Sequence, residues 1–328
     1  MLRTDTRPAS KSSPLAQIAK RLLPLVGSTV MLLWLFSRFS ITELVGAFGQ
    51  FNWPLLIPLT LALVLFTFFW DSLCLRRLFS SGSDPIDYRL VAHARGLSYL
   101  FAIVNFSFGQ GLLAFILSRA RGIRFAEAAG RCVVMAYVDV LTLLSVGLLG
   151  ASFSSDPRIR YVPLIAGLAL AGLLSVVAVL KVFPGRAIPR FRQSPLGDAA
   201  HLLDWPWREL AKLAGLRLVY FSGSIVYLWT ALWIAGFAIG PLVAISVLPI
   251  IAMLEGLPLS IGGLGTRETA LVLLLKPPQP ELLVAFCLVW SGSFISGRML
   301  IGLISLWHPR SRQWLTLRRS EQGHPVTR

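Results

Sequence analysis

Carboxylates are scarce in this chain. Fifteen Asp and Glu stand against 31 Lys and Arg, and charged residues of both signs make up 14% of its 328 residues, against about 25% in an ordinary soluble domain. Cysteine is also sparse: Cys74, Cys132 and Cys287 lie singly in or beside apolar runs, a spacing that offers neither a disulfide framework nor a zinc site. They are expected as reduced core residues. The four histidines, His93, His201, His308 and His324, fall in loops or at interfaces, and no metal or other cofactor is expected. The sequence has no HExxH, no acidic pair, no phosphate-loop lysine and no nucleophile beside a base. Nothing in it asks for an enzyme.

Apolar residues are what the chain has in abundance, at 55% with a mean hydropathy of +0.70. Its net charge of +16 sits in short clusters between apolar runs rather than along one face, which argues against a nucleic-acid surface and for loops that fix membrane topology. The expected fold is therefore an all-α polytopic membrane protein spanning residues 22–307. Residues 22–39, 54–75, 132–152, 161–182, 218–239 and 282–307 are each long enough to cross a hydrocarbon core of about 30 Å. Residues 1–21 form a basic tail without a cleavage site, so the first span is expected uncleaved with a cytoplasmic N-terminus. Residues 308–328 are read as a second cytoplasmic basic tail. Between the fourth and fifth spans, residues 204–217 have the apolar spacing and flanking Trp205 and Trp207 of an amphipathic helix on the inner leaflet.

Two further apolar stretches do not fit as spans. Residues 97–118 are basic on both sides, with Arg76, Arg77, Arg89 and Arg95 before and Arg119, Arg121, Arg124 and Arg131 after. The middle, Asn105 to Gly111, holds the glycines and amides needed to bend a chain, so the stretch reads as a hairpin entering from the cytoplasm. Residues 241–276 start and end outside if their flanking spans are right, and read as a second hairpin entering from the opposite face. Only Arg38, Arg158, Arg160 and Lys276 then fall outside, and only Arg267 and Arg298 within the membrane, as the positive-inside rule requires. Six spans and two oppositely oriented re-entrant hairpins repeat the order span, hairpin, span in opposite senses. That is the plan of an inverted repeat.

The second hairpin contains Glu255-Gly256-Leu257-Pro258-Leu259-Ser260-Ile261-Gly262-Gly263-Leu264-Gly265-Thr266-Arg267-Glu268. A charge at the bilayer centre costs about 3 kcal/mol, so this segment must be shielded by other helices or line a wet cavity. Pro258 is expected to stop one half-helix, Gly262, Gly263 and Gly265 to turn the chain, and Thr266 to cap a second half-helix. The helix N-terminus and Arg267 would then meet at one point, where a phosphate is the natural occupant. Ser260, Glu255 and Glu268 border the same place. A purely structural ion pair of Arg267 with Glu268 or Glu255 is the other reading. Asp139 and Arg298 lie at similar depth and either pair with each other or contact a headgroup; Asn105 and Gln110 either satisfy the first hairpin's backbone or touch the ligand.

The run Pro258 to Glu268 resembles the signature of the lysylphosphatidylglycerol synthase/flippase transmembrane-domain family. Asn105 to Arg119, followed by Arg121-Gly122, is similar to that family's first glycine-containing motif, although Phe106-Ser107-Phe108 stands where Leu-Pro is frequent and Gly111-Leu112 where an acid is often found. The resemblance implies a stand-alone member without the soluble aminoacyltransferase domain, hence lipid translocation rather than synthesis. Stand-alone relatives are associated with glycolipid, polyprenyl-linked sugar or hopanoid pathways, so the substrate class extends to such amphiphiles. The expected function is flipping of an anionic-headgroup lipid across the inner membrane. The alternative is a non-transporting partner of a separate glycosyl- or aminoacyl-transferase.

Overall fold

The computed structural model describes residues 37–80, 85–104, 106–154, 161–182, 206–256 and 265–307, with Pro157 and isolated positions from 26 to 34. Among these are ten helices: α1 (Ile41–Phe48), α2 (Trp53–Phe79), α3 (Tyr88–Val104), α4 (Phe106–Arg121), α5 (Phe125–Ser152), α6 (Val162–Val182), α7 (Trp207–Ile234), α8 (Pro241–Gly256), α9 (Thr266–Leu275) and α10 (Pro280–Trp307). Local chemistry sets several boundaries. Ser40 opens α1 with a capping box, its hydroxyl accepting the Glu43 N–H while the Glu43 carboxylate accepts the Ser40 N–H at 2.9 Å. Proline in the first turn of α2 wastes no hydrogen bond, and Arg76 and Arg77 complement the dipole at its other end.

Four helices, α2, α5, α7 and α10, are long and apolar enough to cross a membrane. Each has 27 or 28 residues, a length of ~40 Å. They contain the expected spans at 54–75, 132–152 and 282–307 and most of 218–239. The span expected at 161–182 is α6, whose apolar stretch covers Val162–Ser175. Half of the span expected at 22–39 lies outside the described residues. Large apolar side chains such as Leu61, Leu65, Leu164, Leu168, Trp233 and Ile304 point outward, where lipid, not water, is the solvent that tolerates them.

The separate interfacial helix expected at 204–217 is not found. From Trp207 onward these residues are the first turns of α7, unbroken to Ile234, and Leu210, Leu213 and Arg217 are buried. Arg217 is drawn inward by two carboxylates, which makes this stretch part of the bundle rather than of a leaflet. The first hairpin is also longer than expected, because α3 begins at Tyr88 and α4 runs to Arg121.

Packing is mainly antiparallel. Along α2 and α7, Thr60 bonds Tyr227, Trp70 donates to the Leu216 carbonyl and Arg77 pairs with Glu209, so one helix rises as the other falls. Helix α3 lies against α10, where a Cβ on Gly96 would stand 2.0 Å from Ser305 Oγ and one on Gly302 2.6 Å from Leu100 Cγ. In the same way α8 lies against α5, Gly150 facing Ile245 and Ser246 while Gly147 faces Pro249. Small residues permit this approach in lipid, where dispersion and close packing replace the hydrophobic effect between helices.

Buried apolar side chains form two cores. One surrounds α8 and α9 with the first half of α10, and takes in Leu56 and Leu63 of α2 and Tyr227 to Ala235 of α7. The other surrounds α3, α4 and the first half of α5, and takes in Cys74 to Phe79 of α2 with Leu210 and Leu213 of α7. Between them, on the same two helices, lie buried Thr67, Asp71, Ser72 and Arg217. This polar layer holds the charged groups.

Candidate functional site

Helix α9 begins one residue earlier than expected. Gly265, not Thr266, is the N-cap, with φ 87°, a conformation that costs glycine nothing. Glu268, three residues on, accepts the Gly265 N–H at 2.7 Å through Oε2, and its Oε1 accepts the Ser291 hydroxyl at 2.8 Å. The protein's own carboxylate therefore occupies the helix N-terminus where an outside anion was expected. Arg267 turns elsewhere. Its Nη1 donates to Ser291 Oγ at 3.1 Å, its guanidinium stacks 4.0 Å from the Trp290 ring centre, and the residue is only 4% exposed. Stacking of this kind, away from water, is worth about 2 kcal/mol and fixes the plane of the guanidinium.

Beside Arg267 is a small cleft of about 50 Å³, enough for a few waters or the phosphate of a larger molecule. Tyr99, Ala102 and Ile103 of α3 form one wall; Arg267 of α9 and Ser291, Phe294, Ile295 and Arg298 of α10 form the rest. Arg298 stacks 4.1 Å from the Phe294 ring centre and 5.0 Å from that of Tyr99, and its buried Nε has no hydrogen-bond partner among the described residues. The first hairpin thus faces α9 and α10 across two guanidinium groups, and Arg298 keeps a donor in reserve.

Next to the cleft runs a four-residue ion network. Arg217 donates through Nη1 to Asp71 Oδ1 at 2.5 Å, through Nη2 to Asp139 Oδ2 at 3.0 Å and through Nε to Asp139 Oδ1. Arg95 pairs with the other oxygen of Asp71 at 2.5 Å and stacks on Tyr99, the ring that Arg298 also uses. The expected pairing of Asp139 with Arg298 is replaced by this arrangement. Arg217 offers two parallel donors to the Asp139 carboxylate, a geometry a more distant cation cannot match.

The expected site residues divide accordingly. Arg267 and Arg298 line the cleft; Gly265, Thr266 and Glu268 build the helix start that aims Arg267. Gln110 lies partly buried in α4, away from the cleft lining. Glu255 falls in the last turn of α8, its side chain outside the described residues, as are Ser260, Gly262, Gly263 and Asn105. Tyr99, Ser291, Arg95, Asp71 and Arg217 were not expected there. By sequence Asp71, near the end of the span 54–75, reads as an interface residue and Arg95 and Arg217 as cytoplasmic positive charges; the structure draws all three into one ion network. The local signal for the two arginines is only that each adjoins an apolar run; the carboxylate it meets lies elsewhere in the sequence.

The chain is a multi-pass helical membrane protein with an arginine-lined cleft between two helical hairpins. It belongs to the family described as Lysylphosphatidylglycerol synthase TM region, whose family model matches residues 21–302. No curated protein and no solved structure matches it.

Proposed function

We propose that the protein carries a lipid with a phosphate-bearing headgroup across the membrane, as a translocator and not as an enzyme. The observation behind this reading is that Arg267 from one hairpin, Arg298 from α10 and Tyr99 to Ile103 from the other hairpin share one cleft. Guanidinium groups held flat by aromatic rings, one with a buried donor in reserve, suit phosphate oxygens. The headgroup occupies the cleft while the hydrocarbon tail stays in the bilayer.

The helix order supports alternating access. Exchanging α2 with α7, α3 with α8, α4 with α9 and α5 with α10 maps the pair α3 and α10 onto α8 and α5, α2 and α3 onto α7 and α8, and α4 and α5 onto α9 and α10. Because α2 and α7 are antiparallel, the axis of that exchange lies across the helices, in the membrane plane, as in inverted-repeat transporters. The hairpin helices, 10 to 17 residues long, reach ~15 to 26 Å and fall short of a ~30 Å core, which suits re-entrant elements. The end bearing Arg76, Arg77, Arg121, Arg208 and Lys212 faces the cytoplasm under the positive-inside rule.

The test is movement of a fluorescent phosphatidylglycerol between leaflets of proteoliposomes. Arg267→Ala and Arg298→Gln should each slow it at least tenfold while elution from a sizing column is unchanged. Transport at the wild-type rate in well-folded Arg267→Ala protein would remove the proposed role.

A further inference from the structure

A carrier without a phosphate-loop motif draws on a gradient or on removal of its product. We propose that Asp139 is a proton-binding site, and that the anionic headgroup and a proton are carried together; this rests on the translocation reading above. The two carboxylates of the ion network are unequally held. Asp71 has a guanidinium on each oxygen, from Arg217 and Arg95, and its side chain is 4% exposed. Among the described residues Asp139 is ion-paired with Arg217 alone, which it shares with Asp71, and its side chain is 26% exposed. Asp139 is thus the carboxylate with the smaller share of positive charge and the one open to an incoming proton, the two features such a site needs.

The groups that face Asp139 are Arg217 of α7, Asp71 and Cys74 of α2 and Arg95 of α3. The other helices packed on α5 add none, because residues 106–118 of α4, 162–180 of α6 and 241–254 of α8 contain no ionisable side chain. The step itself is simple. Hydronium gives one proton to the Asp139 carboxylate, leaving water and a neutral carboxylic acid, and no other bond changes. Arg217 then keeps Asp71 as its charged partner and loses the bidentate tie to α5.

The geometry also joins this site to the cleft. Arg95 and Arg298 stack on the same Tyr99 ring, and the positive field of Arg298 reaches Asp71. A phosphate held by Arg298 cancels part of that field and makes two negative carboxylates beside it less stable. Proton uptake at Asp139 relieves the excess. By reciprocity a proton on Asp139 tightens phosphate binding by the same factor.

The experiment uses full-length protein in vesicles holding fluorescent phosphatidylglycerol, with an imposed pH gradient. Wild type should accumulate the probe in the leaflet facing the more alkaline compartment and reverse when the gradient is reversed. Asp139→Asn should lose that directionality, whereas Asp139→Glu should keep it with a displaced pH midpoint. Because Asp139→Asn could fold poorly, infrared difference spectra of wild type between pH 8 and pH 5 supply a second readout. A protonated-carboxyl band should appear and should shift in Asp139→Glu. Lipid movement by wild type that ignores the gradient, or a spectrum without that band, would overturn proton coupling alone. Absence of any lipid movement would instead overturn the translocation reading.

Discussion

Arg217 serves two carboxylates on two helices, and its loss leaves both stranded in a low-dielectric interior. Removing one member of a buried, hydrogen-bonded charge pair costs about 3 to 5 kcal/mol. Arg217→Ala should therefore lower the unfolding temperature in detergent more than substitution of any other arginine in the described residues, and Asp71→Asn added to it should recover part of the loss. Ser291 is a smaller case. It links Arg267 to Glu268, so Ser291→Ala should cost about 1 to 3 kcal/mol by leaving a buried carboxylate oxygen without its donor, measurable in the same melting experiment. Arg267, Glu268 and Arg298 were legible in the sequence because charge in an apolar run is costly wherever it falls. Their partners were not. Asp71 and Arg217 are 146 positions apart, and no local pattern records which carboxylate a distant arginine will meet.

Helix boundaries follow a similar division. The break between α3 and α4 and the one before α9 were both readable from glycines and amides, since a chain in lipid bends only where its backbone can be satisfied. The start of α9 was missed by one residue because Glu268 reaches back to Gly265 and fixes the cap there. The fate of residues 207–217 was missed because an amphipathic pattern is the same whether the partner is a leaflet or a neighbouring helix. Within the first hairpin Gly109 is the tightest point: a Cβ there would stand 2.8 Å from the Ser98 carbonyl oxygen and 2.9 Å from the Ala102 Cα, both backbone atoms that cannot turn aside. Gly109→Val should splay α3 from α4, displace Tyr99 from the cleft and abolish lipid movement. Gly111→Val, where a Cβ meets open space, should do neither.

At the scale of the molecule, the re-entrant plan we propose predicts which loops share a side. Single cysteines replacing Arg89 and Arg124 should react with an impermeant thiol reagent from the same face of the membrane, and those replacing Pro241 and Lys276 from the other, in a background without Cys74, Cys132 and Cys287. Labelling of Pro241 and Lys276 positions from opposite faces would make the second hairpin a full crossing. The membrane class and the long apolar helices could be read in advance, because both follow from the length and composition of apolar runs. The polar layer could not, since it arises only where residues distant in the sequence meet on α2, α5 and α7.

Helices α2 and α7 thread both apolar cores, with charge in between. A molecule assembled in this way has its weakest seam at the waist: water entering there would loosen the ionic contacts of Arg217 first, while the greasy interiors on either side stay dry.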